Sequence, residues 1–195
     1  MPHPRVVRVG LGVACGGAVP AGLKRYYGRG DLHFITFSCY RRLPLLETQR
    51  ARNLFVRELA RVRKEYGFLL AGYVVMPEHV HLLMSEPKKG TPSTVLQMLK
   101  QRVSRKMRKK RRGGAPGQLR LAFAERDEEL RSFWSARYYG FNVYGSKKFQ
   151  EKLLYIHRNP VTRGLVEDPK DWPWSSWSFY ATGEVGLVAI DVVPS

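Results

Sequence analysis

The chain is short of cysteine, short of acid and without a long apolar run, and each shortage removes a class of function. Its two cysteines, Cys15 and Cys39, form no Cys-x-x-Cys pair, which argues against a disulfide framework or a structural zinc site and agrees with a reducing, cytoplasmic setting. Asp and Glu total 16 against 34 Lys and Arg, a formal charge of +18 in 195 residues. Such a surface repels itself until something anionic offsets it, and nucleic acid is the usual partner. No stretch approaches the roughly 20 apolar residues of a membrane helix, so no membrane partner is expected. The nearest candidate, Val9 to Val19 behind Arg5 and Arg8, is interrupted by Gly10, Gly12, Gly16 and Gly17. It reads as part of a disordered extension over residues 1–23 rather than as a secretory signal.

What is present suffices for one core. At 44% hydrophobic and 12% aromatic residues, the natural division is a single domain over 24–180 and a tail over 181–195. Asp31 to Tyr40 alternates and is rich in aromatic and β-branched residues, as a first strand should be. Thr48 to Tyr66 carries Ala51, Leu54, Phe55, Leu59 and Val62 at helical spacing. This predicts a helix closed by Gly67, with Arg50, Arg52, Arg57, Arg61 and Arg63 on a basic outer face. Phe68 to Met76 and His79 to Glu86 read as a hairpin turning at Met76-Pro77-Glu78.

A second helix starts at Pro92-Ser93 and runs to about Arg112, with Val95, Leu96, Leu99, Val103 and Met107 as its inward stripe. Phe133 to Tyr144 suggests a fourth strand, and Ser146 opens a third helix expected to stop before Pro160. Strand, helix, strand, strand, helix, strand, helix is the order of an α+β, ferredoxin-like sandwich, in which helices pack on an antiparallel sheet, with one helix added at the carboxy-terminal side.

His79 and His81 are the most informative pair. Residues two apart in a strand share a face, so the two imidazoles stand side by side and supply two-thirds of a metal site. Val80, Leu82 and Met84 then face the core. A lone strand histidine such as His33 is more often packing than ligand. Tyr155 and Asn159 lie four apart on the third helix and so share a face. A divalent ion that polarises a phosphate makes attack by a phenol feasible, and an amide oxygen can complete the ion's site. Taken alone, Tyr155 could equally be an ordinary helix tyrosine.

Two other clusters stand out. From Lys100 to Arg112 nine of thirteen residues are basic, and Lys100, Arg102, Arg105, Lys106, Arg108, Lys109 and Arg112 are candidates for phosphate contact. Trp172, Trp174, Trp177, Phe179 and Tyr180 are expected to form a clasp over the sheet or third helix rather than a base-stacking groove.

Four segments together resemble a known family. Val75-Met76-Pro77-Glu78-His79-Val80-His81-Leu82-Leu83 resembles the His-hydrophobic-His motif of the REP-associated tyrosine transposases, within the single-tyrosine HUH transposase and endonuclease superfamily. Tyr155-Ile156-His157-Arg158-Asn159-Pro160-Val161-Thr162-Arg163-Gly164-Leu165-Val166 resembles the nucleophile helix of the same family. His33-Phe34-Ile35-Thr36-Phe37 and Asp171-Trp172-Pro173-Trp174-Ser175-Ser176 are also similar, and the segments occur in the family's order.

The resemblance implies a sheet carrying the histidine pair and a nucleophile helix packed beside it. It makes His79 and His81 metal ligands, Tyr155 the nucleophile and Asn159 the polar third ligand, where insertion-sequence relatives carry glutamine. His157 points away from that face. The implied cofactor is Mg²⁺ or Mn²⁺. The implied reaction is cleavage of single-stranded DNA through a 5′-phosphotyrosine link, reversed by a second 3′-hydroxyl, on hairpin-forming repeats. The protein would act as a monomer or homodimer on single-stranded or hairpin DNA. A protein of the same descent that binds hairpins without cutting is the alternative.

Overall fold

Consecutive burial of His33, Phe34 and Ile35 within Leu32–Ser38 (β1) marks a strand with a packed layer on each side. A computed structural model describes residues 27–28, 30–111 and 133–192, without the side chains of 109–111. The extension over 1–23 and the segment over 113–131 therefore lie outside the described residues. Strands β1, β2 (Leu70–Val75), β3 (His79–Met84) and β4 (Tyr139–Val143) form one sheet in the order β2-β3-β1-β4, and every neighbouring pair is antiparallel. Helices α1 (Gln49–Tyr66) and α2 (Pro92–Arg111) connect them, and α3 (Gly145–Thr162) follows β4. This is the expected α+β sandwich with its added helix.

The register decides which chemistry shares a face. Thr36 lies opposite His81 and Ser38 opposite His79, so Phe34, Thr36, His79 and His81 stand on one face and Phe37, Val80 and Leu82 on the other. On the second face the Phe37 ring meets Phe55 of α1 at 6.1 Å and Trp134 at 5.2 Å, while Lys100 of α2 reaches over Phe37. On the first face Phe34 meets Tyr155 of α3 edge-on at 5.9 Å. Helices α1 and α2 thus cover one side of the sheet, and α3 lies on the histidine side.

Local signals explain the boundaries. Thr48 caps α1 by accepting from the Ala51 amide, and Gly67 ends it in the left-handed region at φ 65°. Gly72 permits the close approach of α3 to β2, since a Cβ there would lie 3.0 Å from Leu153 Cδ1 and 3.5 Å from Ile156 Cδ1. Pro160 does not stop α3, which continues to Thr162. A proline costs the one hydrogen bond its nitrogen would donate, and the last turn is still closed by Arg163 N–H on the Asn159 carbonyl.

Arg52 corrects the expected basic outer face of α1. It is 6% exposed, its guanidinium lies 3.9 Å from the Trp174 ring centre and 4.7 Å from that of Trp172, and it donates to the Leu46 and Glu47 carbonyls. Burial lowers its pKa from the ordinary arginine range. The aromatic segment is a clasp, as expected. Val75 N–H donates to the Trp174 carbonyl and Ser176 N–H to the Tyr73 carbonyl, so Trp172 to Ser176 pairs along the outer edge of β2 and removes an exposed strand edge. Farther on, Asp191 continues the cover, accepting from Leu70 N–H and pairing with Arg63.

Candidate active site

Strand alternation brings the His79 and His81 Nε2 atoms to 2.9 Å from one another. Each ring is held from behind. His81 Nδ1 lies 2.7 Å from the Thr36 hydroxyl, and His79 Nδ1 lies 2.9 Å from a Glu78 carboxylate oxygen. With both Nδ1 atoms engaged, both Nε2 atoms aim at one point, the arrangement by which outer partners fix a metal-binding tautomer. Burial keeps His81 well below the usual histidine pKa, and the charges of His79, Arg163, Arg42 and Lys152 act in the same direction. It is therefore neutral, as a ligand must be. The hydrogen bond to His79 holds the Glu78 carboxyl below its ordinary range despite burial.

Helix α3 supplies the other half. Asn159 is 6% exposed, its Nδ2 sits 3.3 Å from His81 Nε2, and its Oδ1 is buried without a hydrogen-bond partner. A half turn of the amide exchanges its two ends and would bring the oxygen toward the point the histidines face. Tyr155 lies one turn earlier, its ring 5.1 Å from His81 edge-on and 40% exposed. Sheet and helix thus bring His79, His81, Tyr155 and Asn159 together.

The donor set fits a hard divalent ion. Two ligands at right angles around an ion about 2.1 Å away lie about 3.0 Å apart, close to the 2.9 Å between the imidazole nitrogens. Among the described residues no three His, Cys, Asp or Glu converge, and the polar group beside the two imidazoles is the neutral Asn159 amide. Its orphaned oxygen is the candidate third ligand.

The basic second helix is arranged differently from a uniform phosphate grip. Lys100 donates to the Ser135 carbonyl, and burial lowers its pKa to about 8. Arg102 pairs with Glu65 and Lys106 with the buried Glu58. Arg105 and Arg108 are exposed, on the α1–α2 side of the sheet. The Lys109 side chain and Arg112 lie outside the described residues. His157 is buried, 2.9 Å from the Ser176 hydroxyl and apart from the His79–His81 pair.

Sequence reasoning missed Arg42, Lys152 and Arg163, whose charges reach His81. For two of them a signal existed: Lys152, Tyr155 and Asn159 follow one another at helical spacings on α3, and Arg163, directly after the helix, continues the spacing. No local pattern links Arg42 to that stripe, since the turn after β1 meets the site only through the fold.

Comparison with known proteins places the chain in a family and a fold. Residues 27–159 match the family model described as "Transposase IS200 like". The REP-associated tyrosine transposase of Escherichia coli (strain K12) is 28% identical over 170 residues, covering 86% of this chain and 88% of the relative. A Haemophilus influenzae protein placed under the same family name is 28% identical over 156 residues, covering 79% of this chain and 84% of its own. A solved structure of a REP-associated tyrosine transposase bound to a REP hairpin shares the fold, with a TM-score of 0.61, 22% identity, and coverage of 88% of this chain and 98% of the other.

Proposed function

The chain belongs to the IS200-like transposase family, and from that premise we propose that it cuts and rejoins single-stranded DNA beside hairpin-forming repeats, with Tyr155 as nucleophile. The observation that carries the reading is the convergence of two imidazole Nε2 atoms and an unpartnered amide oxygen beside an exposed tyrosine. The hairpin-bound structural relative supports the substrate class.

When bound by His79, His81 and Asn159, Mg²⁺ or Mn²⁺ would supply Lewis-acid polarisation of the scissile phosphate. The protein's own groups do the rest. Thr36 and Glu78 hold the imidazoles so that their lone pairs need no reorganisation, and α3 holds the Tyr155 ring beside them. The phenol oxygen attacks phosphorus and gives its proton to solvent, which its exposed ring reaches. The bond from phosphorus to the 3′ oxygen breaks, and that oxygen takes a proton. The 5′ end stays on Tyr155 as a phosphodiester, so attack by another 3′-hydroxyl reverses the step and joins strands without a nucleotide triphosphate. Arg105 and Arg108, exposed across the sheet from this centre, would contact the backbone of a hairpin stem.

The test uses a labelled hairpin pool with randomised single-stranded flanks. With Mg²⁺ or Mn²⁺ the wild type should form a denaturation-resistant protein–DNA adduct, EDTA should prevent it, and Tyr155→Phe should abolish it while leaving binding nearly unchanged. Equal cleavage by Tyr155→Phe would assign the attack to water. Tight hairpin binding without any adduct would favour the non-cutting binder.

A further inference from the structure

Two residues after β1, Arg41 and Arg42, contradict their own local preferences. Leu43 N–H donates to the Tyr40 carbonyl at 3.0 Å, with Arg41 at φ 50° and ψ 24° and Arg42 at φ 55° between them. Both central residues of this turn are left-handed, a geometry that asparagine and glycine adopt readily and that strains a long side chain. Local preference is commonly overridden where a side chain is needed in one place. The place is defined by pairing: Ser38 lies opposite His79 and Cys39 N–H donates to the Glu78 carbonyl, so the turn begins where the histidine strand begins.

Two further cations border the same centre, Lys152 from α3 and Arg163 from its C-terminal end. Lys152 Nζ lies 5.3 Å from the Phe34 ring centre, and that ring stacks on His81 at 5.5 Å. Arg163 caps the other end, its N–H on the Asn159 carbonyl at 3.0 Å. Among the described residues the one carboxylate paired with Lys152 is the exposed Glu151, a weak tie. Among them no carboxylate forms a salt bridge with Arg42 or Arg163, although the Arg163 charge acts on Glu78, whereas Arg61, Arg63 and Arg102 each have one.

We propose that Arg42, Lys152 and Arg163 form a cationic cradle for the phosphates flanking the scissile phosphodiester, holding the single strand across the Tyr155 stripe. The assignment rests on the tyrosine-transfer reading for its reaction, though not for its ligand, which is the phosphodiester backbone. Lys152 within α3 and Arg163 just after it lie on either side of Tyr155 in the chain, and Arg42 stands in the turn after β1, its charge acting on His81 as theirs do. This grip lies on the histidine side of the sheet, opposite the exposed arginines of α2. The strand and a hairpin stem would then be held on different faces of the molecule.

The experiment compares wild type with a triple variant, Arg42→Asn, Lys152→Gln and Arg163→Gln, where Asn keeps the left-handed turn without its charge. The first probe is a short randomised single strand with no hairpin, titrated across a salt series. Each phosphate contact adds about −0.7 to the slope of log affinity against log salt, so the triple variant should flatten it by about two units. Arg50→Gln with Arg57→Gln, two exposed arginines of α1, should leave that slope unchanged. The second probe is the hairpin pool: at saturation the triple variant should form adduct at least tenfold more slowly, and Arg42→Lys alone should remain close to wild type. The third readout is melting temperature, which Arg42→Gly should raise by relieving the turn.

An unchanged salt slope in the triple variant overturns the cradle. So does a lower melting temperature for Arg42→Gly together with wild-type adduct formation, which would make the arginine a folding residue. A wild type that binds strands but forms no adduct refutes the transfer reading alone, because the slope still decides whether these cations hold phosphate.

Discussion

Removing the Thr36 hydroxyl tests whether the histidine pair is built for a cation. The hydroxyl lies 2.7 Å from His81 Nδ1, and Thr36→Val preserves the side chain's shape while deleting its only polar atom. Two costs follow. A buried imidazole N–H left without an acceptor destabilises the fold by about 1–3 kcal/mol. Losing the outer partner of a ligand histidine weakens metal affinity by about 10–100-fold, equivalent to about 1.4–2.7 kcal/mol. Thr36→Ser keeps the oxygen and should stay near wild type in both respects. Free Mn²⁺ measured by electron paramagnetic resonance during titration gives the affinity, and urea unfolding gives the stability. The reasoning is refuted if Thr36→Val folds less stably yet binds Mn²⁺ as tightly as wild type, for then the hydroxyl supports packing and the Nε2 atoms take no ion.

Gly72→Val should push α3 from the sheet, because the new side chain meets Leu153 and Ile156. Adduct yield should fall more than hairpin binding, with a stability loss of about 1–3 kcal/mol by urea unfolding. Arg52→Ala should cost about 3 kcal/mol through lost stacking and two buried hydrogen bonds, with no rescue by lysine and no change in the salt dependence of DNA binding. Burial pushes the His157 pKa down to about 4 from its ordinary 6.5. The unfolded chain therefore takes up the proton first, so this contribution is complete above pH 6.5 and is lost as the pH falls toward 4. It should amount to about 2–3 kcal/mol at pH 4.5 in urea melts, and His157→Gln should flatten that part of the profile.

The elements that were legible in the sequence are those whose information is local. Alternation in β1, the helical stripe of α1 and the two-residue spacing of His79 and His81 each specify a face without reference to the rest of the chain. The errors occur where a residue's partner is distant. Arg52 was read as solvent-facing because it is charged, yet it sits three, four and seven residues before Phe55, Val56 and Leu59, on the apolar stripe itself. Its acceptance there depends on Trp172 and Trp174, more than a hundred residues away. Lys100 and Lys106 belong to a basic run, but Ser135 and Glu58 bind them, and only the packing of α1 on α2 reveals it. Pro160 was read as a stop because proline usually is one, although a helix already in its last turn has little left to lose.

The same distinction bears on the choice between cutting and binding. Hairpin recognition requires cations, and this chain carries exposed ones on α2, away from the histidines. It does not require two imidazoles whose outer nitrogens are tied back by Thr36 and Glu78, nor an asparagine oxygen buried without a partner. An unsatisfied buried acceptor costs about 1–3 kcal/mol, a sizeable part of a domain stability of about 5–15 kcal/mol. An apolar residue at 159 would remove that cost. If the oxygen gains its partner only when an ion is held, Asn159→Leu should fold more stably than wild type without metal, and added Mn²⁺ should stabilise the wild type alone. Thermal melts of both proteins with and without Mn²⁺ measure this. Equal stabilisation of the two by Mn²⁺ would remove Asn159 from the ligand set.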